Sequence, residues 1–206
     1  MLRRFVALAA VALFTSACGY NRIQSLDERA QQFQGQIEVQ LQRRADLIGN
    51  LVETVKGYAA HEQQVFTQVA NARAGLMGAV RSGDSEQMAT ANAQLTGALG
   101  RLFAVVEAYP NLKADQNFRM LQDELTGTEN RVATSRTDYN AAVNEYNAYI
   151  RQFPQVVTAK VTGAKPRKYF TAAPGTTEAP KVDFTTPSAP AQPAPPATKT
   201  PPAKTP

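Results

Sequence analysis

From residue 23 onward the apolar residues Ile23, Leu26, Ala30, Phe33, Ile37, Leu41, Ile48, Leu51, Val52, Val55 and Ala59 recur at threes and fours, with no proline among them. This period predicts one long helix over 23–59, because a helix returns to the same face every 3.6 residues. Arg43, Asp46, Asn50 and Glu53 repeat on the opposite face and form a solvated strip. Gly57 and the change of texture over Tyr58 to His61 predict a turn, with a single helix running on to Ala79 as the alternative that the apolar phase also allows. A second helix over 62–80 sets Val65, Val69, Ala72 and Leu76 inward; Arg81-Ser82-Gly83-Asp84 then ends it and caps a third over 85–108, with Met88, Ala91, Leu95, Leu99, Leu102 and Val106 inward. Tyr109-Pro110-Asn111 breaks the chain, and a last helix over 112–152 carries Phe118, Leu121, Leu125, Val132, Tyr139, Val143, Tyr146 and Ile150 before Pro154 stops it. Short connections make neighbours antiparallel. The fold class expected is all-α, an antiparallel up-down-up-down four-helix bundle with two long outer helices and two shorter ones.

The outer helices can be aligned by their apolar layers. Pairing residues whose numbers add to about 173 sets Ile23 by Ile150, Leu26 near Tyr146, Leu41 by Val132, Ile48 by Leu125 and Val55 by Phe118. The shorter middle helices then leave one end as a two-helix stem, with Phe33 facing Tyr139. The same register brings Arg44 and Glu129 to one level on otherwise apolar faces, where a charge persists only if paired, so the two are a candidate buried ion pair.

The N-terminus adds a different signal. Arg3 and Arg4 precede the apolar run Phe5 to Phe14, and Thr15-Ser16-Ala17 place small residues before Cys18, the order of a secretory signal peptide over 1–17. The run is about half of the ~20 residues a transmembrane helix needs. The stretch Leu13 to Cys18 resembles a bacterial lipobox, with Thr15 where Leu is usual. That resemblance makes Cys18 the candidate lipid-attachment residue and 18–22 a linker, and Gly19 compatible with outer-membrane sorting. An ordinary signal peptide cut after Ala17, leaving a stray thiol, is the plainer alternative. At the other end, ten of the 13 prolines follow residue 170. Residues 171–206 therefore read as a disordered Pro/Ala/Thr/Lys-rich tail, and 23–170 as the bundle with a basic C-terminal extension.

Longer stretches carry a family resemblance. Tyr20-Asn21, the segment from Ile37 to Glu62, Tyr109-Pro110-Asn111-Leu112-Lys113-Ala114, Thr128-Glu129-Asn130-Arg131, Tyr139-Asn140, Tyr146-Asn147 and Tyr169-Phe170 resemble the LemA family over most of residues 20–170. Gly49 stands where that family usually has proline and Phe33 where tryptophan is common, and a lipoprotein-like signal replaces the usual longer transmembrane helix. The resemblance implies a membrane-anchored helical bundle without a catalytic motif to transfer.

Chemistry is sparse. One cysteine and one histidine rule out a disulfide scaffold and a multi-residue Cys/His zinc site. His61-Glu62 opens like a zinc-protease helix, but Val65 sits where the second histidine is needed, and His61 reads as a helix-end residue. No nucleophile elbow or phosphate loop is present, so no catalytic residue, metal site or cofactor is expected. The net charge is +5. Acids and bases alternate on the helices and export separates the chain from nucleic acid, so no nucleic-acid partner is expected. Residues 146–177 are the exception, holding Arg151, Lys160, Lys165, Arg167 and Lys168 without one acid. Lys160, Lys165, Arg167 and Lys168 are candidate contacts to an anionic membrane surface, at ~1 kcal/mol per basic residue near it, with a plain basic loop as the alternative. The expected function is an envelope scaffold or adaptor, held on the membrane by an N-terminal lipid, facing the periplasm and serving a protein partner. The alternative is an enzyme or small-molecule binder with a polar pocket ringed by Arg44, Glu129 and Asn130.

Overall fold

The computed structural model describes residues 2–171, and for residues 2–18 the backbone path alone. Among the described residues the fold is all-helical: α1 (Leu2–Lys56), α2 (Gln63–Ser82), α3 (Ser85–Val106), α4 (Pro110–Ala114), α5 (Gln116–Tyr149) and α6 (Gln155–Thr162). The tail over 172–206 lies outside them.

The turns follow local chemistry. Gly83 takes the left-handed conformation at φ 66° and donates its N–H to the Val80 carbonyl, which closes α2. Asp84 then caps α3 by accepting from the N–H groups of Glu86 and Gln87. Two residues thus reverse the chain, and α3 returns along α2. The inner face of α2 is rotated from its expected phase: Phe66, Val69, Leu76 and Ala79 are buried, while Val65 and Ala72 are only partly covered.

The last long helix is not continuous over 112–152. Pro110 starts the single turn of α4, and Asp115 interrupts it with extended backbone (ψ 131°) while accepting from the Phe118 N–H to begin α5. The Tyr58 hydroxyl donates to the other oxygen of Asp115 at 2.9 Å, tying this restart to the α1–α2 connection. At its far end α5 stops at Tyr149, and α6 follows within the basic C-terminal extension, where no helix was expected.

α1 and α5 form the longest contact of the fold and run in opposite senses. Arg22 and Arg29 reach Glu145 at 2.7 and 3.0 Å, and Arg43 reaches Glu124 at 2.5 Å. These pairs are exposed and contribute little. Burial of Ile37, Leu41, Ile48 and Val55 against Leu125, Val132 and Phe118 holds the helices, and Phe103 of α3 meets Phe118 edge-on at 6.4 Å.

The bare stem does not occur. At ~1.5 Å per residue α2 and α3 reach along roughly 30 Å of an α1 stripe that runs about 50 Å. The remainder is covered by α6 and by the extended strap 164–171. Ile23, Leu26, Tyr146, Ile150 and Ala159 share one buried cluster, and Phe170 of the strap enters the main core. Two Tyr-Asn pairs of α5 hold the strap. The Asn147 amide donates to the Arg167 carbonyl and accepts from the Arg167 N–H, both at 2.9 Å. Asn140 does the same for Phe170, at 3.0 and 2.8 Å. The Tyr139 and Tyr146 hydroxyls donate to the carbonyls of Lys168 and Lys165 at 2.9 and 3.1 Å. Seven helical residues rise about 10.5 Å and three extended residues about 10 Å, so the two spacings coincide.

Truncation after Gly163 is expected to lower the thermal midpoint by roughly 10 °C, and Phe170→Ala alone to destabilise by about 3 kcal/mol. Truncation after Thr171 is expected to leave the midpoint in place. Thermal unfolding followed by circular dichroism measures all three, and equal midpoints for the two truncations would show that the strap contributes nothing.

Candidate functional site

Three features stand out against the aliphatic layers: a buried arginine, the basic C-terminal extension and the N-terminal segment.

Arg44 lies on the core face of α1 with 5% of its side chain exposed. Its Nη1 is 2.5 Å from Glu129 Oε2 on α5 and also donates to Asn92 Oδ1 on α3, while Nη2 donates to Thr96 Oγ1 at 3.0 Å. The structure thus brings Arg44 and Glu129 together and adds two partners the sequence reading passed over. The available signal was Asn92 and Thr96 standing four apart beside the inward row of α3. Burial lowers the Arg44 pKa from its usual value, and the Glu129 charge opposes that shift. The desolvation is one-sided, since 46% of the Glu129 side chain is exposed. The contact with Glu129 is a short charge contact, and Arg44 Nε is buried without a hydrogen-bond partner among the described residues.

Asn130 is exposed, so Arg44, Glu129 and Asn130 do not ring one pocket. A hollow of about 390 Å³ lies instead over Val52, Lys56, Gln63 and Phe66, and another of about 550 Å³ faces Asp84, Glu86 and Lys168. His61 is exposed in the α1–α2 connection.

The four candidate membrane-facing cations divide into two pairs. Arg167 forms a two-pronged contact with Asp27 of α1, Nε to Oδ1 at 2.6 Å and Nη2 to Oδ2 at 3.0 Å, and this bond raises its pKa further. Lys168 reaches Asp84 at 3.0 Å and Glu86 at 3.3 Å. Lys160 and Lys165 are exposed and make no ion pair with another described residue. The Asp27 contact, 140 residues distant in sequence, gave no local signal.

The Cys18 side chain lies outside the described residues, as do those of the apolar run before it. The backbone continues as α1 through this point, and Gly19 is buried against α6: a Cβ there would stand 3.6 Å from Thr158 Oγ1 and 3.8 Å from Gln155 Cγ. Among the described residues no helix is long and apolar enough to cross a membrane.

Taken together, fold and site define an all-helical protein centred on an antiparallel α1–α5 pair and strapped by its own C-terminal extension. The LemA family model matches residues 33–184, and the chain belongs to that family. Magnetosome proteins MamQ 1 and MamQ 2 of Paramagnetospirillum magneticum are each 33% identical over 174 residues, covering 73% of this chain and 64% of their own length. Magnetosome protein MamQ of Magnetospirillum gryphiswaldense is 30% identical over 187 residues, covering 79% of this chain and 69% of its own. The chain therefore spans somewhat under two thirds of the P. magneticum relatives.

Glu129→Leu is expected to cost about 2 kcal/mol, because it leaves a buried guanidinium with neutral partners only. Arg44→Met is expected to cost about half as much, since water reaches Glu129. The double variant should match Arg44→Met alone in denaturant unfolding; additive losses would show that the two groups are uncoupled.

Asp84 carries a second expectation. The Lys168 ammonium and then the Gln87 N–H hold its pKa below the usual 3.8. A carboxylate depressed in the folded state stabilises above its unfolded pKa and loses that contribution as pH falls through the lower folded value. Asp84→Asn should therefore weaken the fold at pH 7 and flatten the loss of stability below pH ~4. Urea midpoints measured from pH 7 to pH 2 test this, and parallel curves for parent and variant would contradict it.

Proposed function

We propose that this protein is a membrane-anchored envelope scaffold or adaptor, without catalytic activity, that presents helix faces to a protein partner. In this reading α1, α2, α3 and α5 make the up-down-up-down bundle, and a lipid on Cys18, after removal of residues 1–17, holds it on the membrane facing the periplasm. The observation that carries the reading is the position of α1. The part of α1 that follows Cys18 is also the part against which α5, α2 and α6 pack, so a tether at Cys18 holds the whole assembly and not a loose arm. Membership of a family with magnetosome-protein relatives supports a membrane setting.

Lipidation is tested with Cys18→Ala. The variant should lose incorporation of labelled palmitate and leave the membrane pellet, whereas firm retention after signal cleavage would defeat the lipid anchor. The adaptor role is tested by photo-crosslinking from Val39 on α1 and Met120 on α5, both exposed apolar positions. A specific envelope protein joined at either site is the expected outcome, and cells showing no adduct at either would count against an adaptor.

A further inference from the structure

We propose that α6 is a second membrane contact: Phe153, Val157 and Val161, bordered by Arg151, Lys160 and Lys165, rest on an anionic lipid surface and set how the helices stand on it. The proposal deepens the anchoring reading above and rests on it.

The argument starts from how α6 is turned. Its inner side is identified by Gln155 and Thr158, which meet Gly19 of α1, and by Ala159, which is 3% exposed. At 100° per residue Val157, Lys160 and Val161 then share the opposite side. Phe153, just before the helix, is 84% exposed, Val157 56% and Val161 83%. A short helix serving only to cover the core would place its large apolar residues inward. This one buries an alanine, half-buries Val156 and turns Val157 and Val161 out, with a phenylalanine four residues before Val157. Single exposed apolar residues are ordinary on a protein surface, whereas a row of them marks contact with something apolar.

Position and charge identify what covers the row. α6 meets α1 at residue 19, immediately after Cys18, so the lipid that holds Cys18 on a bilayer holds α6 at the bilayer surface. Tyr20, 43% exposed, stands at the same end, and its ring suits the headgroup level. From 146 to 177 the chain has no acidic residue, and Arg151, Lys160 and Lys165 are exposed. A basic rim around a shallow apolar row is the arrangement of a segment lying in the interface plane, with the cations drawn to anionic headgroups. Arg167 and Lys168, paired to Asp27 and Asp84, take no part: they fasten the strap and leave Lys160 and Lys165 for the lipid.

The chain contains no tryptophan, so Phe153→Trp and Val157→Trp each introduce a single indole at an exposed position. Met120→Trp, near the start of α5 at the far end, is the control. The full chain of each variant is reconstituted with vesicles of phosphatidylethanolamine and phosphatidylglycerol, with and without brominated acyl chains, and recovered by flotation. Emission from positions 153 and 157 should shift to shorter wavelength and be quenched about twofold by brominated lipid, with position 120 unaffected. Lys160→Glu with Lys165→Glu should abolish most of that quenching while the protein still floats. Protein that floats with unquenched indoles at 153 and 157 overturns the α6 contact and leaves the anchor standing; protein that neither floats nor is quenched overturns both. A shift that grows with protein concentration in the absence of lipid identifies a second copy as the occupant and also overturns the proposal.

Discussion

The constraint on which the rest depends is the length of the apolar stripe of α1. From Ile23 to Val55 one face is buried at nearly every turn, and an exposed aliphatic stripe some 50 Å long would be costly in water and would invite aggregation. α5 can follow that whole length because it runs antiparallel beside it. α2 and α3 cannot, since each ends near 20 residues. The cover therefore changes along α1: a helical hairpin over one part, and α6 with an extended strap over the other. Tyr139 sits where the two kinds of cover meet. Its hydroxyl lies 2.8 Å from Ser85 Oγ at the start of α3 and donates to the Lys168 carbonyl of the strap.

An extended segment on a helical surface has a difficulty that a helix does not. Its backbone N–H and C=O groups find no ladder, and each buried group left unpaired costs free energy. Asn140 and Asn147 solve this by presenting an amide that both donates and accepts, as a neighbouring strand would. Alanine at either position would remove both bonds together. The heptad spacing on α5 is thus dictated by the rise of the strap, and the strap's polar fastening by Arg167 to Asp27 acts on the same stretch.

How much of this was legible follows from the range of each signal. The long helices, the Gly83–Asp84 reversal and the antiparallel α1–α5 alignment rest on local periodicity and turn chemistry, and the sequence displays both. Arg44 and Glu129 could be paired because charges on an apolar face are conspicuous. α6 could not be read, since eight residues that bury only Ala159 fully and leave Val157 and Val161 exposed carry no inward period. The strap was equally opaque: its order comes from side chains of α5 twenty to thirty residues earlier, and Tyr139-Asn140 and Tyr146-Asn147, although they carry part of the family resemblance, show no local sign of what they bind. The break at Asp115 needed the Tyr58 contact as well as the cap, and only folding brings those two together.

Polar groups placed against α1 make its register specific in a way the aliphatic layers do not. Leu, Ile and Val layers tolerate a shift by one turn, whereas Arg44 meets Asn92, Thr96 and Glu129 in one alignment only. One level away, Arg73 of α2 donates from Nε to the Ala45 carbonyl at 2.6 Å, with its guanidinium 3.7 Å from where a Gly49 side chain would begin. Ala45 is the acceptor that residue 49 serves in a regular helix. A proline at 49, usual in the family, would withdraw that donor, and Arg73 stands where it can replace it. With glycine at 49 the helix keeps its own donor and continues unbroken to Lys56, while Arg73 still docks on the same carbonyl. The two arginines thus fix α1 against α2, α3 and α5 at adjacent levels, Arg44 reaching out from α1 and the half-exposed Arg73 reaching in, and a slip at the level of Arg44 would leave a buried cation facing an aliphatic layer.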